Sequence, residues 1–413
     1  MTTRITHFVM PNGERYCLLC ESPQRVPCFY PNLFITSQVR NRSLSLSAMR
    51  HRLAALAVFM AFLSHKNMSH HDLEVRFHTL AFLSVNEIDE LADMCQRNFY
   101  EHQSAFPLTH PTARGVAKQT TYIRLTYIAD YLRWLASLLL QRRREKEVCK
   151  RIEEMHVAIT SRRPPTRHRN QLQEKGLSAQ QSATLLEVLR PASPLNPYAS
   201  APIRARNQVM LLLLYYLGLR GGELLNIRIS DIDFQACTLT IARRPDAPGD
   251  PRPHQPLVKT RDRLLPVSSS LIQHIHHYIT THRRGVRGAK RHDYLFVTHK
   301  QGEHAGQPLS LSAYKRVIMI LRAQVPFLQG FTAHQLRHTW NERLSEHFDA
   351  MARPPSEAEQ ESIRSHLMGW QDGSGTASIY NKRFIRRLSE RAALHLQAGL
   401  LATSGAEGSG HEH

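Results

Sequence analysis

The longest uninterrupted apolar stretch of the sequence runs from Met210 to Leu219. Its length suits a helix buried in a protein core, and it falls well short of the ~20 residues that span a bilayer. We therefore predict a buried helix over Arg204 to Leu217, preceded by another over Leu177 to Leu189. Two β-rich segments follow, at Thr238 to Ala242 and Leu264 to Val267, and they are predicted to be strands of a small sheet.

The N-terminal part of the chain also shows helical periodicity. From Ser43 onward, apolar residues recur at three- and four-residue steps, and further helices are predicted over Val85 to Cys95 and Tyr122 to Leu140. Residues 1 to 42 instead form short extended pieces broken by prolines and asparagines, a pattern typical of a small β arm. The predicted fold class is mainly α with a small β-sheet (α+β).

Composition along the chain predicts several domains. A polar, basic stretch broken by two prolines lies between residues 155 and 175 and is typical of a linker. The predicted parts are a β-like arm at 1–42, a helical domain at 43–154, a basic linker at 155–175, a second domain at 176–402 and a disordered tail at 403–413.

The charge balance indicates a polyanionic partner. Lys and Arg total 54 against 34 Asp and Glu, which gives a formal net charge of +20 and a pI near 10.1. Nucleic acid is the first candidate and an anionic membrane surface the second. Clustered arginines are predicted to contact DNA phosphates, although a solvated charged loop explains each cluster equally well. These arginines are Arg142, Arg143, Arg144, Arg162, Arg163, Arg283, Arg284 and Arg287.

The sequence contains two groups of potential metal ligands, and neither predicts a metal site. Cys17, Cys20 and Cys28 lie close together, but no fourth ligand follows at a regular spacing, so Glu14 to Cys20 is better explained as a strand. The histidines at 274, 276 and 277 lack a carboxylate cluster and suit a polar helix face. The N-terminus has no apolar stretch of signal-peptide length, so we expect a cytoplasmic protein with reduced thiols.

Two basic motifs flank the predicted strands. LGLRGGELLNIRISDID, residues 217 to 233, places Arg220 directly after the buried helix and before a helical turn that carries Glu223. LVKTRDRLLPV places Lys259 in a basic turn before the second strand. Each motif taken alone fits a structural arginine or an exposed hairpin.

Two further motifs lie near the C-terminus. In TAHQLRHTW, Thr332 and Gln335 match a capping box, which predicts a helix starting at Ala333 with His334 and Arg337 on one face. A helix N-terminus attracts anions, so a phosphate beside His334 is physically reasonable. In HLMGWQDGSGTASIYNKRF, a glycine-rich loop separates Trp370 from Tyr380. A self-capped surface helix and a tyrosine packed in the core are the structural alternatives.

These four motifs, in this order, resemble the signature of the tyrosine recombinase (phage integrase) family. That signature is Arg, Lys, His-x-x-Arg, His or Trp, then Tyr. The resemblance is specific from about Leu177 to Leu396 and weaker over residues 43 to 140. Two departures are the proline-rich stretch at 254–256 before the lysine and the apparent insertion at 352–361. The matching residues are Arg220, Lys259, His334, Arg337, Trp370 and Tyr380.

The resemblance implies a specific division of chemical roles. Arg220 and Arg337 hold the phosphate, while His334 and Trp370 add hydrogen-bond donors. Lys259 protonates the leaving 5′ oxygen. Tyr380 is the nucleophile that forms a 3′-phosphotyrosyl intermediate, with no metal and no cofactor.

The resemblance also implies an architecture and partners. A helical core-binding domain and a catalytic domain form a clamp around double-stranded DNA, and four protomers assemble on two recombination sites. The helix from about Ser389 to Leu401 is the candidate for exchange between neighbours. Accessory directionality factors are candidate partners, and the sequence leaves open whether they set the direction of the reaction. The expected function is integration or excision of a mobile element in the cytoplasm, at the nucleoid.

Three other functions remain possible at this point. The first is a catalytically silent DNA-binding accessory protein with the same fold. The second is a metal-dependent nuclease that uses some of the 25 histidines. The third is a topoisomerase that relaxes supercoils by the same chemistry.

Overall fold

The computed structural model describes residues 2–42, 45–98, 115–143, 145–165 and 176–371, together with 393, 394 and 397. The described residues are rich in helix and carry two small sheets, which confirms the predicted fold class. The chain divides into two compact units, Met1–Gln171 and Leu172–His413. Each unit has its own hydrophobic core.

The first unit begins with an antiparallel hairpin of strands β1 (Thr2–Val9) and β2 (Arg15–Ser22). The strand predicted at Glu14 to Cys20 is thus confirmed. Tyr16, Cys17 and Leu19 of β2 are buried in the core that the helices of this unit form. The hairpin therefore belongs to the helical unit, and the structure does not separate residues 1–42 as an arm.

Residues after the hairpin are helical, contrary to the prediction of extended pieces. Helix α1 (Phe29–Ile35) continues as a wider helical turn to Arg40. Pro31 lies in the first turn of α1, where a missing N–H is tolerated. The side chain of Asn32 exchanges hydrogen bonds of 2.8 Å with the backbone N–H and C=O of Leu19. Asn32 therefore fastens a helix to the strand, where the sequence predicted a break between extended pieces.

Five longer helices follow in the described residues of the first unit. Helix α2 is the central one and is long and apolar enough, with a mean hydropathy of 1.4, to cross a membrane by length and composition alone. Its Leu53, Phe59 and Phe62 are fully buried among the other helices, as expected for the core helix of a globular unit. The helices are α2 (Leu46–His65), α3 (His70–His78), α4 (Val85–Gln96), α5 (Lys118–Leu139) and α6 (Lys146–Ser161).

Helix α6 corrects the predicted start of the linker. It continues to Ser161 because Val148, Ile152, Met155 and Ile159 recur at helical spacing and are buried. The segment that joins the units therefore starts after residue 161, and residues 166–175 lie outside the described part of the chain. The predicted tail at 403–413 also lies outside it.

The second unit contains seven helices, as far as the structure describes it, and a three-stranded antiparallel sheet of order β3-β4-β5. Strands β4 and β5 agree with the two predicted strands. The strands are β3 (Ile232–Asp233), β4 (Thr238–Ile241) and β5 (Arg263–Pro266). The helices are α7 (Ala179–Val188), α8 (Ala201–Leu217), α9 (Gly221–Asn226), α10 (Ser269–His277), α11 (Leu311–Gln324), α12 (Ala333–Asp349) and α13 (Glu357–Met368).

Helix α8 is the buried helix predicted from the apolar stretch, and α12 packs against it. The indole N–H of Trp340 on α12 donates to the carbonyl of Tyr216 at 2.8 Å. Helix α13 is joined to α12 by Arg364, whose fully buried guanidinium donates to the carbonyl of Asn341 at 2.9 Å. The apparent insertion at 352–361 thus includes the first turn of α13.

Candidate active site

Arg220 lies at the junction between α8 and α9. Helix α8 ends at Leu217, and its C-cap residue Gly218 has a φ of +62°, a left-handed conformation that suits glycine. Arg220 is the N-cap residue of α9, and its backbone N–H donates to Oε2 of Glu223 at 3.0 Å. Its side chain remains 32% exposed, with Nη1 3.6 Å from Oε1 of Glu223. Arg220 therefore presents part of its guanidinium to solvent at the start of a helix.

Glu223 is a buried carboxylate around which several cationic groups gather. Its Oε2 lies 2.9 Å from Nη2 of Arg263 and 3.9 Å from Nη1 of Arg337, and its Oε1 accepts a 2.6 Å hydrogen bond from the hydroxyl of Thr260. Burial opposes ionisation of this carboxyl, but the charges of Arg263 and Arg337 and the hydrogen bonds from Thr260 and Arg220 outweigh it and lower its pKa. Glu223 is thus a fixed negative charge beneath the arginines.

Arg337 occupies the interior of the same cluster. Helix α12 begins at Ala333, as the capping box predicted, and Thr332 N–H donates to Oε1 of Gln335 at 2.7 Å. Arg337 follows one turn later and is 1% exposed. Its Nη1 donates to the carbonyl of Gly218 at 2.7 Å and its Nη2 to that of Met368 at 3.1 Å. One guanidinium therefore joins the C-terminal ends of α8 and α13.

His334 lies one turn before Arg337 on α12 and is exposed. Its ring stands edge-on to the ring of His338, with the centroids 4.6 Å apart. The imidazole is thus accessible at the N-terminal turn of α12, where an anion is favoured.

The hairpin that carries Lys259 contacts the end of α13, directly before Trp370. The C-cap residue of the helix is Gly369, whose carbonyl accepts a 3.0 Å hydrogen bond from the backbone N–H of Arg261. Trp370 follows and is buried, with the guanidinium carbon of Arg337 5.2 Å from its ring centroid. Lys259 is exposed on the hairpin and borders an open cleft of about 520 Å³ that Gly369 also lines. The hairpin and the end of α13 are therefore in contact.

The structure brings four of the six predicted site residues into one neighbourhood of the second unit. Arg220, Arg337, Lys259 and Trp370 are linked through Glu223, the hairpin and the end of α13. Tyr380 lies outside the described residues, as does most of the helix predicted at 389–401.

Sequence reasoning missed three residues of this cluster, Glu223, Thr260 and Arg263. In the sequence Glu223 is one member of a helical turn, and its position three residues after the N-cap is a recognised capping signal. Arg263 points inward because Arg263 and Leu265 share the buried face of β5. An arginine at a core position of a strand is a signal that could have identified it.

The predicted DNA-contacting arginines of the second unit divide into exposed and buried ones. Arg284 and Arg287 are exposed. Arg283, in contrast, is 5% exposed and donates to the carbonyls of Tyr294, Ala289 and His292 at 2.9 to 3.0 Å. The structure therefore corrects the prediction for Arg283, because its guanidinium holds a loop from the inside and does not face a ligand.

The predicted arginines of the first unit lie near the ends of α5 and α6. Arg142 and Arg143 are exposed, whereas Arg144 lies outside the described residues. Arg162 pairs with Asp89 at 2.9 Å, and the guanidinium of Arg163 lies over the ring of Tyr122. Both are half-buried, so part of each guanidinium is already engaged within the protein.

The cysteines near the N-terminus are packed in the core. Cys17, Cys20 and Cys28 are buried, and burial, with lesser contributions from Glu21 and Cys20, raises the pKa of the Cys28 thiol to about 12. Among the described residues, no group of three or more His, Cys, Asp or Glu side chains is arranged to hold a metal ion.

The fold and the site define a helix-rich, strongly basic protein whose second unit gathers arginines around a buried carboxylate. The phage integrase family model matches residues 176–386, just over half of the chain. The protein belongs to the phage integrase family, which confirms the resemblance seen in the motifs.

Individual relatives cover a smaller part of the chain. Tyrosine recombinase XerD of Halalkalibacterium halodurans is 25% identical over 151 residues, which are 37% of this chain and 44% of the relative. Transposase A from transposon Tn554 of Staphylococcus aureus is 31% identical over 136 residues, 32% of this chain and 34% of the relative. The chain thus spans less than half the length of these curated relatives.

The solved structures that match this chain are more distant in sequence. The integrase of transposon Tn1549 in complex with transposon right-end DNA is 13% identical, with a TM-score of 0.44, and the match covers 82% of this chain and 99% of that one. The crystal structure of XerA recombinase is 17% identical, with a TM-score of 0.36 and coverage of 88% and 97%.

Proposed function

We propose that this protein is a site-specific DNA recombinase that cuts and rejoins strands through a 3′-phosphotyrosyl intermediate, in the integration or excision of a mobile element. The observation that supports this most is the gathering of Arg220, Arg337, the Lys259 hairpin and Trp370 around Glu223 in a member of the phage integrase family. No single motif carries this argument, because each has a structural explanation when taken alone.

The phosphate is held by permanent positive charge. The partly exposed guanidinium of Arg220 offers planar donors to the nonbridging oxygens of a phosphodiester. Arg337 supplies a second positive charge from the buried side of the cluster, and His334 adds a hydrogen-bond donor at the N-terminal turn of α12. Glu223 keeps the arginines in place and offsets part of their mutual repulsion.

Cleavage is a transesterification in which Tyr380 is the nucleophile. Its phenolic oxygen forms a bond to phosphorus while the bond from phosphorus to the 5′ oxygen breaks. The phenolic proton passes to His334, and Lys259 gives a proton to the leaving 5′ oxygen. A tyrosine has a pKa of about 10, so nearby cations must favour its phenolate during attack.

Rejoining reverses these steps on a partner strand. The free 5′ hydroxyl of that strand attacks the phosphotyrosine, so the energy of the phosphodiester is retained and no nucleotide triphosphate is consumed. We further propose that both units contact double-stranded DNA and that four protomers act on two sites in the cytoplasm, at the nucleoid. Accessory proteins would set the direction of the reaction.

A nicked suicide substrate tests this function. When the strand beyond the nick diffuses away, wild-type protein is expected to accumulate as a covalent adduct that migrates slowly in a denaturing gel. Tyr380→Phe should abolish the adduct and leave duplex binding unchanged, because it removes only the nucleophilic oxygen. Tyr216→Phe, at an exposed tyrosine of the same unit, is the matched control and should retain the adduct.

Other outcomes would identify a different function. Duplex binding without any adduct in wild type indicates the catalytically silent accessory protein. Cleavage that stops in chelator and survives Tyr380→Phe indicates a metal-dependent nuclease. Relaxation of supercoils without exchange of strands between two duplexes indicates a topoisomerase.

A further inference from the structure

The loop between β4 and β5, residues 242–262, carries Lys259 and buries several polar side chains in its middle. Connecting loops normally run over the surface, because a buried loop must satisfy its own polar groups. Here Asp250 is 3% exposed, Arg252 5% and Gln255 9%. Gln255 and Pro256 of the proline-rich stretch that departs from the family pattern are buried, whereas His254 is exposed.

Arg252 uses its entire guanidinium inside the protein. An arginine has five N–H groups, and all five donate here. Nε and one Nη2 hydrogen reach the carboxylate of Asp250, at 2.9 and 2.7 Å. The Nη1 hydrogens reach the carbonyls of Leu225 at 3.0 Å and Leu309 at 3.1 Å, and the second Nη2 hydrogen reaches Oδ1 of Asn226 at 3.3 Å.

These bonds fasten the loop to the C-terminal end of α9. The carbonyl of Leu225 belongs to the last turn of that helix, where no intrahelical donor is available. Asn226 in turn donates through Nδ2 to the carbonyl of Pro256 in the loop. Arg252 therefore supports the loop directly through α9 and indirectly through the amide of Asn226.

The continuation of the loop is fixed against the N-terminal half of α9. A Cβ on Gly222 would collide with the backbone of Leu257, so the backbone of α9 and that of the loop approach as closely as glycine permits. Val258 is buried in the core, and Thr260 donates to Glu223 at 2.6 Å. Lys259 is the exposed residue between these two buried neighbours.

Helix α9 thus has Arg220 as its N-cap residue and contacts the Lys259 loop along its length. We propose that Arg252 is a positioning residue that fixes the Lys259 ammonium relative to the phosphate held by Arg220. It does so by locking the loop to α9, and it touches neither DNA nor the reacting atoms. This inference rests on the proposed function, since it assigns how the general acid of that reaction is placed.

A substrate whose leaving 5′ oxygen is replaced by sulfur provides the test. In that substrate the phosphorus–sulfur bond breaks and a thiolate departs without needing a proton, because a thiol has a pKa of about 8.5. Loss of the general acid should slow cleavage of the oxygen substrate about 100-fold and leave the sulfur substrate nearly unaffected. Lys259→Ala is expected to show this pattern directly.

Arg252→Met should reproduce the pattern to a smaller degree. We expect cleavage of the oxygen substrate to fall about 10-fold or more, and cleavage of the sulfur substrate to change less than about 3-fold. Arg206→Met is the matched control. Arg206 is a comparably buried arginine on α8, whose guanidinium bonds to Asn207 and to the carbonyl of Val297. It should slow both substrates by the same factor.

The outcomes separate this inference from the proposed function. If wild type forms no adduct on the oxygen substrate, the proposed function fails. If wild type and Lys259→Ala behave as expected but Arg252→Met slows both substrates equally, Arg252 has a structural role only and the inference is wrong. Arg252→Lys, which keeps the charge but offers fewer donors, should fall between wild type and Arg252→Met on the oxygen substrate.

Discussion

Glu223 shows how much a single buried charge can organise. Its carboxylate lies within 4 Å of three guanidinium groups, those of Arg220, Arg263 and Arg337. Burying several like charges together is costly unless an opposite charge compensates them. At the scale of the residue, the site therefore depends on an acid that need not touch the substrate.

Replacing Glu223 by Gln removes this charge and keeps the shape of the side chain. We expect the free energy of unfolding to fall by about 3 kcal/mol, because the buried arginines lose their counter-charge. Urea unfolding followed by tryptophan fluorescence in a Trp134→Phe background reports on the second unit, since the other two tryptophans, Trp340 and Trp370, lie there. Glu187→Gln, at an exposed pair with Arg190, should cost less than about 0.5 kcal/mol.

The effect of Glu223→Gln should also depend on pH. The pKa of Glu223 is lowered in the folded protein from the ordinary value of 4.5, so its stabilising contribution is complete above that value. The contribution is lost as the pH falls through the folded pKa. The difference in unfolding free energy between wild type and variant should therefore be largest near pH 7 and shrink in acid. A constant difference would mean that folding does not shift the pKa of Glu223, and a difference that grows in acid would mean that its pKa is raised.

At the scale of elements, the contact between the Lys259 hairpin and the end of α13 depends on Gly369. This residue has a φ of +63°, and a Cβ there would lie 2.8 Å from Nη1 of Arg263 and 2.9 Å from the carbonyl oxygen of Arg261. Glycine is thus required both by the backbone conformation and by the close approach of the hairpin.

A comparison of Gly369→Ala with Gly330→Ala should separate backbone strain at positive φ from the steric clash of the added Cβ. Gly330 has a φ of +79° with nothing within 4 Å of the added Cβ, so its replacement should lower the free energy of unfolding only by the backbone strain, about 1 kcal/mol. Gly369→Ala should lose more and should also slow cleavage, because the hairpin must move. Equal losses of thermal stability, with full cleavage activity in both variants, would show that this contact does not position the site.

At the scale of the whole molecule, an excess of 20 positive charges predicts strong, salt-dependent binding to DNA. The structure adds which arginines are available for it. Arg284 and Arg287 face solvent, whereas their neighbour Arg283 is used inside the fold. Net charge alone does not distinguish them.

The double variant Arg284→Gln/Arg287→Gln should therefore bind DNA with a weaker dependence on salt. The slope of log K against log salt is expected to fall by roughly 1 to 2, with no change in melting temperature. Arg283→Gln should instead lower the melting temperature, because three backbone carbonyls lose their donor. Fluorescence anisotropy across a salt series measures the slope. An unchanged salt slope in the double variant would mean that DNA does not contact Arg284 and Arg287.

The sequence by itself determined what is encoded locally. The Thr332 and Gln335 capping box located the start of α12, the apolar stretch located α8, and β-rich segments located β4 and β5. Such signals act within a few residues, so they can be read without the fold. The order of the motifs likewise identified the family and the residues to consider.

Only the tertiary structure decided which charged groups are buried and what they contact. Nothing local distinguishes Arg283 from Arg284, or marks Arg252 and Glu223 as partners of distant backbone and side-chain groups. The prediction of extended structure over residues 29–40 was wrong for the same reason, because the side chain of Asn32 bonds to Leu19 in a strand, 13 residues earlier in the sequence. Burial and hydrogen-bond partners depend on segments far apart in sequence, and a local pattern carries no information about which of them meet.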